Sequence, residues 1–333
     1  MSCPKNMTYG PCGGVRRDGG CEIGGLACPF VSAPLRVWDA LSSGETTTPN
    51  PAALTLRASL ARGRAVIADF PARSLDSASL RRCAAALADV DAVLLGDSPH
   101  HRTQFPPAYR AALVQAAGAS AWVSLNARDR NRVALEAELA ACSDLGVGAV
   151  HCVTGDHPSG GGRPDAAAVF DLDSTQLTAL AAGRGALVSV AESPAAPPRE
   201  RRPARLLSKE RAGADVCFVN HCGGVARVVS FVRASRALGA SVAMVACVPL
   251  VCDAGSAALL SSFHGPGLEP DELDRILAAE NPRAAGIAAA SALGRRMLDT
   301  GLLAGVNLSG GPAPGQELAY AEALAETAEA LAR

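Results

Sequence analysis

The sequence lacks an excess of charge of either sign, a long apolar run, and nearly all lysine. Its 31 basic side chains stand against 32 acidic ones, so no global positive field gathers nucleic acid or an anionic membrane. No stretch reaches the ~18 consecutive apolar residues of a membrane-spanning helix. The opening MSCPKNMTYGPCGG has neither the basic nor the apolar region of a secretion signal, so a cytoplasmic location is expected. Lysine occurs only at Lys5 and Lys209, and the Arg and Ala richness fits GC-rich coding rather than guanidinium chemistry.

What is present is apolar and regular. In 333 residues, 49% are hydrophobic and 19% charged, a balance that supports a packed globule of one large domain or two smaller ones and excludes general disorder. Eleven cysteines in a reducing compartment point to metal ligation or packing rather than disulfides. Cys3, Cys12, Cys21 and Cys28 fall in a Gly-rich stretch without apolar periodicity, which cannot build its own core. A metal tying the thiols together would offset the loop entropy, so residues 1–35 are expected to be a small metal module. The spacing C-x8-C-x8-C-x6-C fits neither common zinc knuckles nor bacterial ferredoxin runs, and leaves zinc and iron–sulfur both open.

Residues 36–62 are expected to form a linker with an amphipathic portion around Val37, Trp38 and Leu41, then a polar run and a short helix. From there to the C-terminus, short apolar runs alternate with helical patterns. Eight strands are expected: Arg64–Asp69, Asp91–Leu95, Ala121–Leu125, Ala149–Thr154, Ala186–Ala191, Asp215–Asn220, Ser241–Val248 and Ala304–Ser309. Between them, faces such as Leu75, Leu80, Cys83 and Leu87 have helical spacing. A doubly wound sheet would carry a Gly-rich phosphate loop after its first strand, whereas here ADFPARS follows. The expected architecture is therefore an α/β fold: a TIM (β/α)8 barrel over residues 63–333, preceded by the Cys-rich module.

Chemistry in such barrels sits at the C-terminal strand ends. Those ends carry Asp69, Asp97 with His100 and His101, Asn126, Asp156, Glu192, Asn220 with His221 and Cys222, Cys247 and Cys252, and Asn307 with Ser309. Carboxylates and amides converging on one rim suit a nitrogen-rich heterocycle, whose N–H and amide groups need paired acceptors and donors. His100, His101, His221 and His264 lack a spaced partner set and are expected to be surface or loop residues. Cys152, Cys217, Cys222, Cys247 and Cys252 are expected to pack in strands, with Cys222 and Cys252 nearest the pocket. The charged run at residues 197–211 is expected to be a solvated helix face, and Gln316–Leu331 a final helix that closes the barrel or meets a partner.

The segments ADFPARS, VTGDHPSGGG, ERAGADVCFVN and VACVPLV resemble, in order over residues 63–310, the methylenetetrahydrofolate reductase family. The N-terminal CPKNMTYGPCGGVRRDGGCEIGGLAC resembles more closely that family's cysteine-bearing C-terminal domain, found in acetogen small subunits and associated with a [4Fe-4S] cluster. The resemblance implies reduction of 5,10-methylenetetrahydrofolate to 5-methyltetrahydrofolate. It makes Asp69 the acid that protonates the folate, with Glu192 the nearest alternative, and Asp156 and Asn220 the pterin contacts. Gly155, Asn126 and Ser309 complete the expected folate-binding set, and Cys3, Cys12, Cys21 and Cys28 hold the iron–sulfur cluster or zinc.

Asp69 and Asn220 stand where the family has Glu and Gln, each one methylene shorter. Thr154 and Ala191 replace family contacts to FAD, which leaves FAD binding open; in a pocket without FAD the hydride source would be NAD(P)H directly or an electron-donor protein acting through the cluster. Two other outcomes remain open in the sequence: transfer of the one-carbon unit to another acceptor without net reduction, and a non-catalytic subunit of a separate reductase partner.

Overall fold

A computed structural model describes residues 3–39, 47–97, 101–263, 265 and 267–333; Leu41, His100 and His264 lie outside the described residues. Eight parallel strands close in sequence order into a barrel: β1 (Ala65–Asp69), β2 (Ala92–Leu95), β3 (Ala121–Asn126), β4 (Ala149–Val153), β5 (Leu187–Glu192), β6 (Val216–Val219), β7 (Ala243–Pro249) and β8 (Gly305–Ser309). β8 returns to β1 with Val66 opposite Val306 and Ala68 opposite Leu308, which seals the sheet and leaves no edge. Every strand lies within two residues of its expected position, because each is a short apolar run buried on both faces.

Eleven helices accompany them: α1 (Pro51–Ala61), α2 (Ser77–Ala86), α3 (Pro107–Ala116), α4 (Arg132–Asp144), α5 (Ser174–Ala181), α6 (Arg202–Arg211), α7 (Val225–Ala237), α8 (Ala254–Ser261), α9 (Pro270–Leu277), α10 (Pro282–Leu298) and α11 (Glu317–Ala332). Six of them start at side-chain caps that satisfy otherwise orphaned N–H groups. Asn50, Asp76, Asn131 and Asn281 each accept from the backbone three residues on, and Asp173 and Asp253 form reciprocal capping boxes. None of the described helices is long and apolar enough to cross a membrane.

Three apolar clusters result among the described residues, the smallest, of Val251, Ala257, Leu260 and Ile276, lying between α8 and α9, and the other two making up the barrel. The larger lies between the barrel wall and the helical ring. The smaller fills the barrel floor, where Trp122 and Phe218 meet edge to face at 5.2 Å and the Trp122 indole donates to Ser189 at 2.8 Å. His151 shares the Ser189 hydroxyl at 2.8 Å, and burial drives its pKa down to about 3, so it stays neutral there.

The expected linker takes a different role at its C-terminal end. Ala53, Leu56 and Leu60 of α1 join Ile67, Leu94, Leu187 and Val245 in the floor core. The helix plugs the N-terminal end of the barrel, a use that its own periodicity does not reveal.

Candidate functional site at the barrel mouth

The C-terminal strand ends divide into two halves. On the β1–β8 side, the Asp69 carboxylate accepts from Asn307 Nδ2 at 3.0 Å and from the Gly310 amide at 3.2 Å. Burial pushes this carboxyl up to about 6, against the two hydrogen bonds, which lower it. A carboxyl that titrates near neutrality is suited to general-acid work. Asn307 Nδ2 also faces the Cys247 sulfur at 3.9 Å, while its buried Oδ1 has no partner among the described residues. That amide is locked with a free acceptor beside Asp69, a placement the strand-end reading did not single out.

Ser309 has a partner within the protein. Its hydroxyl lies 2.7 Å from His221 Nε2, and His221 stacks on Phe263 with its pKa lowered to about 4 by burial. His221, in the loop after β6, is thus a neutral partner within the mouth. Cys222 and Cys247 sit in this half as protonated thiols, since burial raises both.

On the β3–β4 side, Asn126 is 3% exposed and donates through Nδ2 to both oxygens of Asp97, at 3.2 and 3.1 Å. Arg128 also binds Asp97, at 2.7 Å, which fixes the Asn126 amide and leaves its buried Oδ1 unpartnered. Asn126 and Asn307 therefore each offer an unused acceptor, matching the need of a heterocycle rich in N–H groups. Gly155 holds φ +86°, and an added Cβ there would come within 3.1 and 3.2 Å of the Arg128 and Asn126 Cβ atoms. The next residue, Asp156, is exposed, and its side chain meets Arg102 at 3.5 Å. Asn220, at the end of β6, donates to Ser193 Oγ at 3.0 Å.

Glu192 is no proton donor in this arrangement. Its carboxylate is 1% exposed and meets Arg205 at 2.5 Å, Lys209 at 2.7 Å and Arg202 at 3.7 Å. Burial alone would raise its pKa; Lys209, Arg205 and Arg202 overcome that and hold it at about 2. The same contacts correct the expectation for residues 197–211. The charged run is largely α6, and its Arg202, Arg205 and Lys209 point inward, buried against Glu192. Burial and the neighbouring Arg205 lower Lys209 to about 8.

The N-terminal segment docks on this mouth. Arg202 donates to the carbonyls of Pro11 and Cys12 at 3.3 and 3.0 Å, and Asn6 donates to the Phe170 carbonyl at 3.2 Å. Asp173 accepts from the Thr8 and Tyr9 amides at 2.9 and 3.0 Å while capping α5. Asp173→Ala removes a cap and an anchor together and is expected to cost about 2 to 4 kcal/mol in a urea titration, with faster proteolysis of the N-terminal segment. Wild-type stability would show that neither contact matters.

Cys3, Cys12, Cys21 and Cys28 lie close enough to feel one another electrostatically, and burial followed by this repulsion raises Cys28. Among the described residues, no group of three or more His, Cys, Asp or Glu side chains is arranged to hold a metal ion. The remaining cysteines are buried or half-buried among the strands and helices. Elsewhere, an apolar crevice between α7 and α10, lined by Val225, Val228, Val232, Met297, Thr300 and Leu303, carries no group that titrates.

Residues 1–50 match the family model described as "Methylene-tetrahydrofolate reductase C terminal". No curated protein sequence matches the chain. Among solved structures, an uncharacterized protein from Clostridium thermocellum that binds two copies of 5-methyl-5,6,7,8-tetrahydrofolic acid aligns with a TM-score of 0.60 at 10% identity, over 81% of this chain and 98% of that one. At that identity the likeness is one of fold. A 2,3-dimethylmalate lyase of the PEP mutase/isocitrate lyase superfamily aligns more loosely, with a TM-score of 0.46 at 14% identity over 77% of this chain and 78 to 79% of the two crystal forms' chains.

Proposed function

We propose that the barrel mouth binds a reduced folate and that the chain reduces 5,10-methylenetetrahydrofolate to 5-methyltetrahydrofolate, with Asp69 as the acid. The observation that carries this is the Asp69 carboxyl at about 6, held at the β1 end by Asn307 and Gly310. The N-terminal family match supports the one-carbon reading, and so does the folate bound by a barrel of the same fold.

In this mechanism Asn126 and Asn307 accept from ring N–H groups, Asp156 and Asn220 hold the pterin, and Gly155 lets the backbone approach it. Asp69 gives its proton to the nitrogen that leaves as the bridging C–N bond breaks. A nicotinamide bound at the mouth would supply the hydride that turns the methylene carbon into the methyl group. Asp69 ends as a carboxylate and regains its proton from water. Because only protonated Asp69 works, turnover falls as pH rises through about 6.

Among the described residues, the four thiols of the N-terminal segment are not arranged to hold a metal ion; a metal site there is supported by the family match of residues 1–50 and by the buried cations Lys5 and Arg202, which lie in the field of Cys12 and favour an anionic centre. Cys3, Cys12, Cys21 and Cys28 would hold a [4Fe-4S] cluster or zinc. An iron–sulfur cluster supplies one-electron transfer; zinc supplies rigidity. Thr154, which stands where the family contacts FAD, bonds inward to Met7 and to the Ser174 amide.

Anaerobic purification followed by an absorbance spectrum, metal analysis and addition of methylenetetrahydrofolate with NADH or NADPH tests this function. Nicotinamide oxidation dependent on folate is the expected result. A protein that binds folate yet oxidises no nicotinamide and accepts no electrons would move the assignment to one-carbon transfer.

A further inference from the structure

We propose that the Lys5–Glu22 ion pair of the N-terminal segment is a positioning device for Asp156, so that this segment completes the ligand site of the barrel. The proposal rests on the reading of Asp156 as a folate contact. Lys5 Nζ donates to the Gly155 carbonyl at 2.8 Å. Glu22 Oε1 accepts from the His157 amide at 2.7 Å. The two side chains meet each other at 2.5 Å. One pair therefore grips the backbone on both sides of Asp156, at the peptide before it and the peptide after it.

The grip is desolvated and geometrically strict. The Lys5 and Glu22 side chains are 3% and 8% exposed, so the pair works at low local dielectric, where a misplaced partner is costly. Glu22 lies against bare backbone: a Cβ on Gly14 would stand 1.8 Å from its Oε2. Asp156 itself is exposed, and among the described residues its side chain has the long contact to Arg102. Its own side chain does not fix where it points, and placement falls to the backbone that Lys5 and Glu22 hold.

Sequence position ties this clamp to the thiols. Cys3 lies two residues before Lys5, and Cys21 immediately precedes Glu22. Whatever joins the thiols fixes the spacing of the two clamp residues, and with it the turn that carries Asp156. The thiol segment and the ligand site are then coupled, each favouring the order of the other.

The test uses the full-length chain and two variants. Lys5→Met/Glu22→Leu removes the clamp without leaving a lone buried charge, and Lys5→Arg keeps a cation in place. Amide hydrogen exchange at His157 and the dissociation constant for 5-methyltetrahydrofolate are measured in each. The double variant is expected to speed His157 exchange at least tenfold and weaken binding at least tenfold, with exchange of the β1–β3 amides unchanged and Lys5→Arg close to wild type. Exchange at His157 within twofold of wild type in the double variant would overturn the proposal, as would faster exchange with unaltered binding in a wild type that does bind the folate. Should the wild type bind no folate while His157 exchange still rises, the clamp stands and the folate reading falls.

Discussion

Asp69→Asn is expected to lower turnover by about a hundredfold to ten-thousandfold, the usual contribution of a general acid, while leaving folate affinity within about threefold. The reason is geometric and electrostatic together. Asn keeps the shape and can accept from either Asn307 Nδ2 or the Gly310 amide, though not from both, and it has no proton of suitable acidity to give. The variant should also be more stable than wild type at neutral pH. Asp69 titrates higher in the folded chain, at about 6, than its ordinary 3.8. The folded form therefore binds the proton more tightly, and stability falls as pH rises from 3.8 through 6. An uncharged Asn escapes that loss. Gain of stability with loss of turnover is the signature of a strained catalytic carboxylate; unchanged turnover would transfer the role away from Asp69.

Glu192→Leu is expected to destabilise the chain by about 3 to 5 kcal/mol, because it leaves Arg202, Arg205 and Lys209 buried without a counter-charge. The pH dependence of wild type reports the same cluster. The Glu192 carboxyl lies at about 2 when folded against an ordinary 4.5. Its contribution is therefore full above 4.5 and is lost as pH falls toward 2, on the order of 3 kcal/mol over that window. Denaturant titrations at pH 7 and pH 3 check both statements. In Glu192→Leu the acid-sensitive portion should be missing, and a variant as stable as wild type would show that the cations find solvent instead. Arg202 also holds the Pro11 and Cys12 carbonyls, so the N-terminal segment should loosen with the cluster.

Much of the barrel is legible in the sequence because its strands are buried on both faces. Runs such as AVIAD and AVLL have no other use in a chain of this charge, and the helical patterns between them leave only a few ways to close the sheet. The rim residues Asp69, Asn126 and Asp156 follow from that register alone. What periodicity hides is burial that depends on a distant partner. The α6 segment RPARLLSKER has the composition of a solvated face, and only the meeting with Glu192 at the end of the preceding strand turns its cations inward. Ser309 reads as a free hydroxyl until His221, 88 residues away, is placed beside it. Helix α1 reads as part of a linker because its apolar residues gain meaning only under an open barrel end. The docking of the N-terminal segment is likewise long-range, resting on single contacts from Lys5, Asn6, Glu22 and Asp173 that no local pattern announces.

The central claim is that the mouth of this barrel is a folate site. Calorimetric titration of 5-methyltetrahydrofolate into the full-length, anaerobically purified protein and its Asp156→Asn variant tests it most directly. Saturable one-to-one binding that weakens at least tenfold in Asp156→Asn and survives in Asp69→Asn is the predicted result. An absence of binding, or binding indifferent to Asp156, would contradict it.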